Sequence, residues 1–75
     1  MPTIEIIDGV RIRIYPGDHA PPHFHAILAE YEVQIAIDDL RVMNGSLPSK
    51  SLKAVLAWAE ENMNVLRDEW ERLNG

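Results

Sequence analysis

Three histidines lie close together in the chain, and imidazole side chains can carry acid–base or metal chemistry. They are His19, His23 and His25, and the sequence has no other histidine. Imidazole changes its charge near neutral pH and is the commonest metal ligand in proteins. Because His23 and His25 are two residues apart, a strand would point both to the same face. Pro21 and Pro22 stiffen the approach to that strand, since each proline fixes its own φ. The segment therefore predicts a local, partly rigid imidazole cluster.

One interpretation of this cluster is a metal site. His23 and His25 on a strand, joined by His19 from the preceding loop, would supply three imidazoles. Asp18 or Asp38 would add a carboxylate. Zinc accepts such ligands, as do copper and nickel in vitro, so this interpretation predicts a divalent transition metal as cofactor. The alternative is structural, with one histidine holding the loop and another bonded to a carboxylate. A His-x-His pair alone does not decide between the two, and the cofactor stays open.

A second interpretation is general acid–base catalysis on a phosphodiester. A carboxylate that orients one histidine leaves the other freer to move a proton. The catalytic candidates are therefore His23, His25 and Asp38. Arg11, Arg13 and Tyr15 would stabilise an anion, and together with Asp18 and His19 they are the binding candidates. The alternative is a solvated polar sheet face with ordinary cross-strand pairs.

Length and composition limit the class of protein. The chain has 75 residues, which suits a single domain over residues 1–75 and is close to the lower limit for a self-sufficient core. It has no cysteine, so disulfides and thiolate metal sites are excluded. Its formal net charge of −5 disfavours nucleic acid as a partner, because that affinity comes from cations that meet phosphates. No apolar run has the length of a membrane span, and the N-terminus lacks a secretory signal pattern, so we expect a cytoplasmic protein.

Alternation of apolar and polar residues in the first half of the chain predicts four strands. The alternating apolar positions are Ile4, Ile6, Val10, Ile12, Ile14, Phe24, Ala26, Leu28, Val33, Ile35 and Ile37. In the first hairpin, a three-residue loop over residues 7–9 sets Ile6 opposite Val10 and gathers the apolar residues on one face. Gly9 permits the left-handed conformation that such a loop needs.

The second hairpin is predicted to have a four-residue turn over residues 29–32. This turn pairs Leu28 with Val33 and keeps the apolar residues of both strands on one face. The same register sets His23 opposite Asp38 on the other face. None of the turn residues favours a left-handed conformation, so the pattern of apolar residues alone sets this register.

The second half of the chain predicts a short strand and one long helix. Residues 40–43 form the predicted fifth strand, closed by a turn at Asn44-Gly45. Ser49 is the predicted N-cap of the helix. Apolar residues then recur at helical spacing at Leu52, Val55, Leu56, Ala59, Met63, Leu66, Trp70 and Leu73. The predicted fold class is α+β, an antiparallel sheet of four or five strands with one long C-terminal helix packed on one face. The histidines and arginines then lie on the uncovered face.

Several segments of the chain resemble those of one bacterial family. They are the motif Asp-His-x-Pro-Pro-His-Phe-His-Ala over residues 18–26, residues 15–17, 30–32 and 45–48, and the two tryptophans Trp58 and Trp70. In these segments the chain resembles the family catalogued as domain of unknown function 4160. The resemblance implies a small bacterial protein, often encoded beside another small protein, in a toxin–antitoxin-type module. It implies no established activity. Ala29 departs from the family pattern, which has glycine in the second turn.

These patterns together favour an interaction protein. A sheet face rich in Arg, Tyr and His carries the residue types that are favoured at protein interfaces. We expect one half of a toxin–antitoxin-like pair, whose partner is the product of a neighbouring gene or a second copy of the chain. The alternative is a histidine-dependent nuclease or phosphodiesterase, with or without a metal. Nucleic acid is a disfavoured partner, a membrane is not expected, and whether the protein is an enzyme stays open.

Overall fold

In a computed structural model, the described part of the chain consists of five strands in one antiparallel sheet and two helices. The structure describes residues 3–75, with side chains described from residue 4 onward. The elements are β1 (Thr3–Ile7), β2 (Val10–Arg13), β3 (His23–Leu28), β4 (Tyr31–Ala36), β5 (Val42–Ser46), α1 (Ser49–Glu61) and α2 (Met63–Asn74). The strands lie side by side in chain order. The α+β class and the antiparallel sheet are thereby confirmed.

One face of the sheet forms the core together with the two helices. The buried strand residues are Val10, Ile12, Phe24, Ala26, Val33 and Ile35, with Ile14 and Ile37 just beyond strand ends. Val55 and Ala59 of α1 and Leu66 of α2 pack against them. Burial of each large aliphatic side chain contributes about 1.5–3 kcal/mol. The period-two alternation therefore assigned the inward positions of β2, β3 and β4 correctly.

The first hairpin closes with a two-residue turn, so the predicted three-residue loop is wrong. Ile7 lies opposite Val10, and Asp8 and Gly9 form the turn between them. Their φ angles are 49° and 81°, both in the left-handed region. Two positive φ angles match the right-handed twist of the flanking strands, and aspartate tolerates this conformation better than most residues. The turn therefore follows local backbone preference rather than the apolar pattern.

This register changes which side chains of β1 face the core. Ile6 lies opposite Arg11 and is 60% exposed. Ile7 takes the inward position instead and packs against the core. An irregularity between Thr3 and Glu5 adds one residue to β1, and Ile4 also packs against the core. A β-bulge of this kind restores an inward side chain that the register alone would turn outward.

The second hairpin is also tighter than predicted. Leu28 lies opposite Tyr31, so the turn has two residues and the predicted four-residue turn is wrong. Ala29 occupies its first position with a φ of 52°. The register differs from the predicted one by two residues. Since side chains alternate with a period of two, every residue keeps the face that was predicted for it.

The fifth strand lies later in the chain than predicted. It spans Val42–Ser46 rather than residues 40–43, and Asn44-Gly45 lies inside it rather than in a turn. Gly45 has a φ of 77° and lies opposite Val33. A Cβ atom at this position would overlap the main-chain oxygen of Glu32. Glycine is therefore required here by both the backbone conformation and the close approach of β4.

The C-terminal apolar stripe runs over two helices, so the predicted single long helix is wrong. The chain leaves helical geometry at Asn62, where φ is −132° and ψ is 28°. The Asn62 side-chain amide donates a hydrogen bond to the Trp58 carbonyl at 2.8 Å. Asparagine competes with the helical backbone in this way, which explains a break that apolar spacing does not signal. The N-cap of α1 is Pro48, one residue before the predicted Ser49.

Neither helix in the part of the chain that the structure describes has the length and apolar character to cross a membrane.

Candidate functional site

The segment between β2 and β3 is tied to the C-terminal end of α2. The side-chain oxygen of Asn74 accepts hydrogen bonds from the main-chain N–H groups of Gly17 at 2.7 Å and Asp18 at 3.2 Å. Its amide nitrogen donates to the Tyr15 carbonyl at 3.3 Å. One asparagine therefore satisfies three main-chain groups of the segment. This attachment positions the Asp18 carboxylate over the first residues of β3.

Asp18 meets two imidazoles from that strand. Its Oδ2 atom lies 3.0 Å from Nε2 of His25 and 3.3 Å from Nε2 of His23. One ligand-type atom from each of the three residues lies within 4.8 Å of the other two. The alternation of β3 explains why both rings share a face, because His23 and His25 flank the inward-pointing Phe24. We call Asp18, His23 and His25 the imidazole–carboxylate cluster.

The outer nitrogen of each imidazole also has a partner. Nδ1 of His23 lies 2.9 Å from the Pro21 carbonyl oxygen, and Nδ1 of His25 lies 2.8 Å from Oε2 of Glu32. A carbonyl or carboxylate oxygen only accepts hydrogen bonds, so each of these contacts is a hydrogen bond in the tautomer that carries its proton on Nδ1. In the neutral tautomer each Nε2 is then a lone pair that faces the Asp18 oxygen. Three atoms that each carry a lone pair then lie close together, and a proton or a cation bound among them makes this arrangement favourable.

Aromatic rings enclose the cluster. His23 is 5% exposed and His25 is 7% exposed. The Tyr15 ring meets the His25 ring edge-on, with 4.6 Å between centroids. The Trp70 ring from α2 lies 5.4 Å from the His23 ring. The Asp18 side chain is 25% exposed and borders a surface cleft that Trp70 also lines, which makes it the solvent-facing member.

The comparisons with known proteins place the chain in a family. The sequence model described as domain of unknown function (DUF4160) matches residues 9–71. The chain belongs to the DUF4160 family. The matched range contains the whole imidazole–carboxylate cluster and Trp70, whereas Asn74 lies outside it. Searches of curated proteins and of solved structures give no match.

The histidines of this DUF4160 protein do not all lie together. His19 is exposed and lies outside the group of potential metal ligands that the described residues form. The third potential ligand beside His23 and His25 is the Asp18 carboxylate rather than His19. His23 and His25 lie on the sheet face opposite the core, as alternation predicts. The prediction that this face is uncovered is wrong around them, because Tyr15 and Trp70 close over the two rings.

Asp38 lies away from the cluster. The predicted register that set it opposite His23 is wrong, because His23 lies opposite Ala36. Asp38 is exposed and pairs with Arg41, with 3.4 Å between the guanidinium Nη1 and the carboxylate. Hydrogen bonds from the Arg41 main chain and guanidinium lower the pKa of the neighbouring Asp39. Asp38 therefore belongs to a charged surface turn before β5.

The remaining binding candidates lie on the same face as the cluster. Cross-strand neighbours form one row of Ile6, Arg11, Ile27, Glu32 and Ser46, and a second row of Arg13, His25, Gln34 and Asn44. We call these two rows the polar sheet face. Arg11 is exposed, and Arg13 is half-buried opposite His25. Tyr15 contacts the cluster directly.

Sequence reasoning missed three residues of the site. The sequence predicts Glu32 in the second turn and Trp70 in the helical apolar stripe, and it predicts no site role for Asn74. The hydrogen bonds of Asn74 join positions 56 to 59 residues apart, and no local pattern signals such contacts. The position of Glu32 was predictable, because a two-residue turn in the second hairpin places it diagonally across from His25.

Proposed function

We propose that this DUF4160 protein is a small interaction protein of a toxin–antitoxin-like pair, and that its partner is the product of a neighbouring gene. The observation that carries the proposal is the first row of the polar sheet face. There Ile6, 60% exposed, lies beside the exposed guanidinium of Arg11. Ile27, half-buried, continues the row at the centre of the sheet. An exposed aliphatic side chain beside an arginine is a combination that protein interfaces favour.

Charge indicates what such a partner presents. The chain carries a formal net charge of −5, yet Arg11 and Arg13 lie side by side on β2 and on one face. A basic spot on an acidic protein selects acidic groups locally, while its net charge repels acidic polymers such as nucleic acid. The partner surface therefore combines carboxylates with an apolar side chain that meets Ile6.

Charge reversal on the polar sheet face tests this proposal. Arg11→Glu is expected to weaken binding of the neighbouring gene product at least tenfold, because it places a like charge opposite the partner's carboxylates. Lys53→Glu on α1 is the matched control, since Lys53 is exposed and the change in charge is the same. Isothermal titration calorimetry of the purified pair gives both affinities. Equal losses for the two variants, or no complex with the wild-type chain, would contradict the proposal.

The apolar part of the face has its own test. Ile6→Glu is expected to weaken the same complex at least tenfold, because burial of a charged carboxylate in place of an aliphatic chain is unfavourable. Val65→Glu on α2 is the matched control, since Val65 is 43% exposed and lies on a helix rather than on the sheet. Co-expression followed by size-exclusion chromatography shows whether each variant still co-elutes with its partner.

A second candidate function, histidine-dependent cleavage of a phosphodiester, is favoured by the position of His25. Its two ring nitrogens lie 2.8 Å and 3.0 Å from carboxylates of Glu32 and Asp18. A carboxylate on one imidazole nitrogen orients the ring so that the other nitrogen can exchange a proton with a reacting group. Asp18 occupies the second nitrogen of His25, so this partly exposed carboxylate has to move aside toward solvent before a phosphate ester reaches that nitrogen.

Single-histidine variants test this second candidate on RNA. His25→Ala is expected to slow cleavage by about 10²–10⁴-fold, the usual contribution of a general acid or base. His19→Ala, which removes an exposed histidine outside the cluster, is expected to keep the wild-type rate. Gel analysis of the product ends with each protein measures the rates. Identical products and rates from wild type and His25→Ala would remove this function.

A further inference from the structure

We propose that Asp18, His23 and His25 bind one divalent transition-metal ion, such as zinc. The observation is that Nε2 of both histidines lies within 3.3 Å of Oδ2 of Asp18. Zinc takes imidazole nitrogen and carboxylate oxygen as ligands. The inference is independent of the partner that the polar sheet face binds, since none of its arguments uses Ile6 or Arg11.

The two distances from the Asp18 oxygen suit donors that share an ion, and all three donor atoms lie within 4.8 Å of one another. Donors about 2.0–2.2 Å from one metal lie roughly 2.8–3.6 Å apart in tetrahedral or octahedral geometry. The Asp18 oxygen lies 3.0 Å from one Nε2 and 3.3 Å from the other. Both separations fall within this range.

The outer hydrogen bonds have the arrangement that metal-ligating histidines use. Such histidines donate their other ring N–H to a carboxylate or a main-chain carbonyl, which sets the tautomer and the orientation of the ring. Here Nδ1 of His25 donates to Glu32, and Nδ1 of His23 donates to the Pro21 carbonyl. Both rings here have such a partner, and each directs its second nitrogen to the Asp18 carboxylate.

Charge and environment also favour a dication. Asp18 and Glu32 together carry two negative charges at the cluster when ionised. The rings of Tyr15 and Trp70 exclude water from the imidazoles, and an interaction between charges is stronger in such a site than in water. Three protein ligands leave a zinc ion one further position, and solvent reaches the cluster at Asp18, whose side chain is 25% exposed.

The ligand types also predict which ions fail to bind. Magnesium and calcium require oxygen ligands, and two of the three donors here are nitrogen. Copper and nickel accept the same donors as zinc, and copper binds such sites more tightly in general. We therefore expect zinc, nickel and copper to bind in a titration, and magnesium not to bind at millimolar concentration.

Isothermal titration calorimetry with zinc on the full chain, purified without a polyhistidine tag and stripped with a chelator, tests the proposal. We expect a single ion per chain with a micromolar or lower Kd. Saturation is expected to raise Tm by roughly 10–20 °C, since a ligand at about 100 times its Kd stabilises a domain of this size to that extent. A wild-type chain that binds no zinc at 100 times that concentration, roughly 100 μM, would overturn the proposal.

Asp18→Asn, Glu32→Gln and His19→Ala assign the site. Asp18→Asn is expected to weaken zinc binding at least 100-fold, because it removes the one charged ligand. Glu32→Gln, which changes a positioning residue, is expected to weaken it about 10–100-fold. His19→Ala removes an exposed imidazole outside the cluster and is expected to leave the Kd unchanged. Zinc binding that survives Asp18→Asn or disappears in His19→Ala would overturn the assignment.

The visible spectrum of cobalt bound to the wild-type chain tests the proposal even if a variant folds poorly. Cobalt occupies nitrogen and oxygen sites like those of zinc, and its visible absorption reports the number and type of ligands. The wild-type chain is expected to show a spectrum of a four- or five-coordinate ion with nitrogen ligands. A spectrum of hexaaqua cobalt in the folded wild-type chain would overturn the proposal without any mutation.

Discussion

Gly45→Ala is expected to lower the free energy of unfolding by about 2–6 kcal/mol, the sum of backbone strain and steric overlap. The added Cβ would overlap the main-chain oxygen of Glu32 and lie 3.2 Å from Cα of Val33. The backbone of β4 cannot move away without breaking its hydrogen bonds to β3. Urea denaturation followed by circular dichroism measures the change.

Gly17 offers a matched control for this prediction. Its φ of 79° is nearly that of Gly45 at 77°, but a Cβ there would meet no atom of the described residues within 4 Å. Gly17→Ala therefore carries only the cost of a left-handed alanine, about 1–2 kcal/mol. The difference between the two variants isolates the overlap with Glu32. Equal losses of stability would show that β5 does not approach β4 as closely as the structure has it.

Phe24→Ala is expected to lower the free energy of unfolding by about 3–5 kcal/mol. Phe24 is fully buried and lies between the two histidines of the imidazole–carboxylate cluster, on the opposite face of β3. Its removal leaves a cavity in a core that 75 residues can barely fill. Thermal and urea denaturation measure the loss, which is a large part of the stability of a domain of this size.

Tyr31→Ala is the control for the loss of an aromatic side chain. Tyr31 is 41% exposed, so its truncation is expected to cost below about 1 kcal/mol. A Phe24→Ala variant as stable as Tyr31→Ala would contradict the assignment of Phe24 to the core. It would also contradict the placement of His23 and His25 on the face of β3 opposite the core.

The proposed interface and the proposed metal site are neighbours in the sheet. Arg13 and His25 lie opposite each other in the second row of the polar sheet face. Glu32 belongs to the first row, where a partner would dock, and it also receives the Nδ1 hydrogen of His25. A partner that displaces the Glu32 carboxylate would therefore release the orientation of one proposed metal ligand.

For β2, β3 and β4, the sequence correctly predicted which side chains face the core, even where it did not predict the strand register. The second hairpin differs from its predicted register by two residues, and a shift of two leaves Phe24 inside and His23 outside. The first hairpin differs by one residue in β1, and there the prediction failed, since Ile6 faces outward. Turn conformation decided both registers, because Asp8 and Ala29 adopt positive φ angles that their residue types only weakly signal.

The sequence by itself placed the three members of the imidazole–carboxylate cluster in one short segment. Asp18, His23 and His25 lie within eight consecutive residues, and the period of a strand is enough to place both imidazoles on one face.

Only the tertiary structure decided how these side chains are enclosed and joined. The break at Asn62 separates α2 from α1, and the far end of α2 brings Trp70 against His23 and Asn74 against the segment that carries Asp18. Such contacts join residues far apart in the chain. They depend on where a helix ends and how it packs, and neither is encoded in the spacing of apolar residues along that helix.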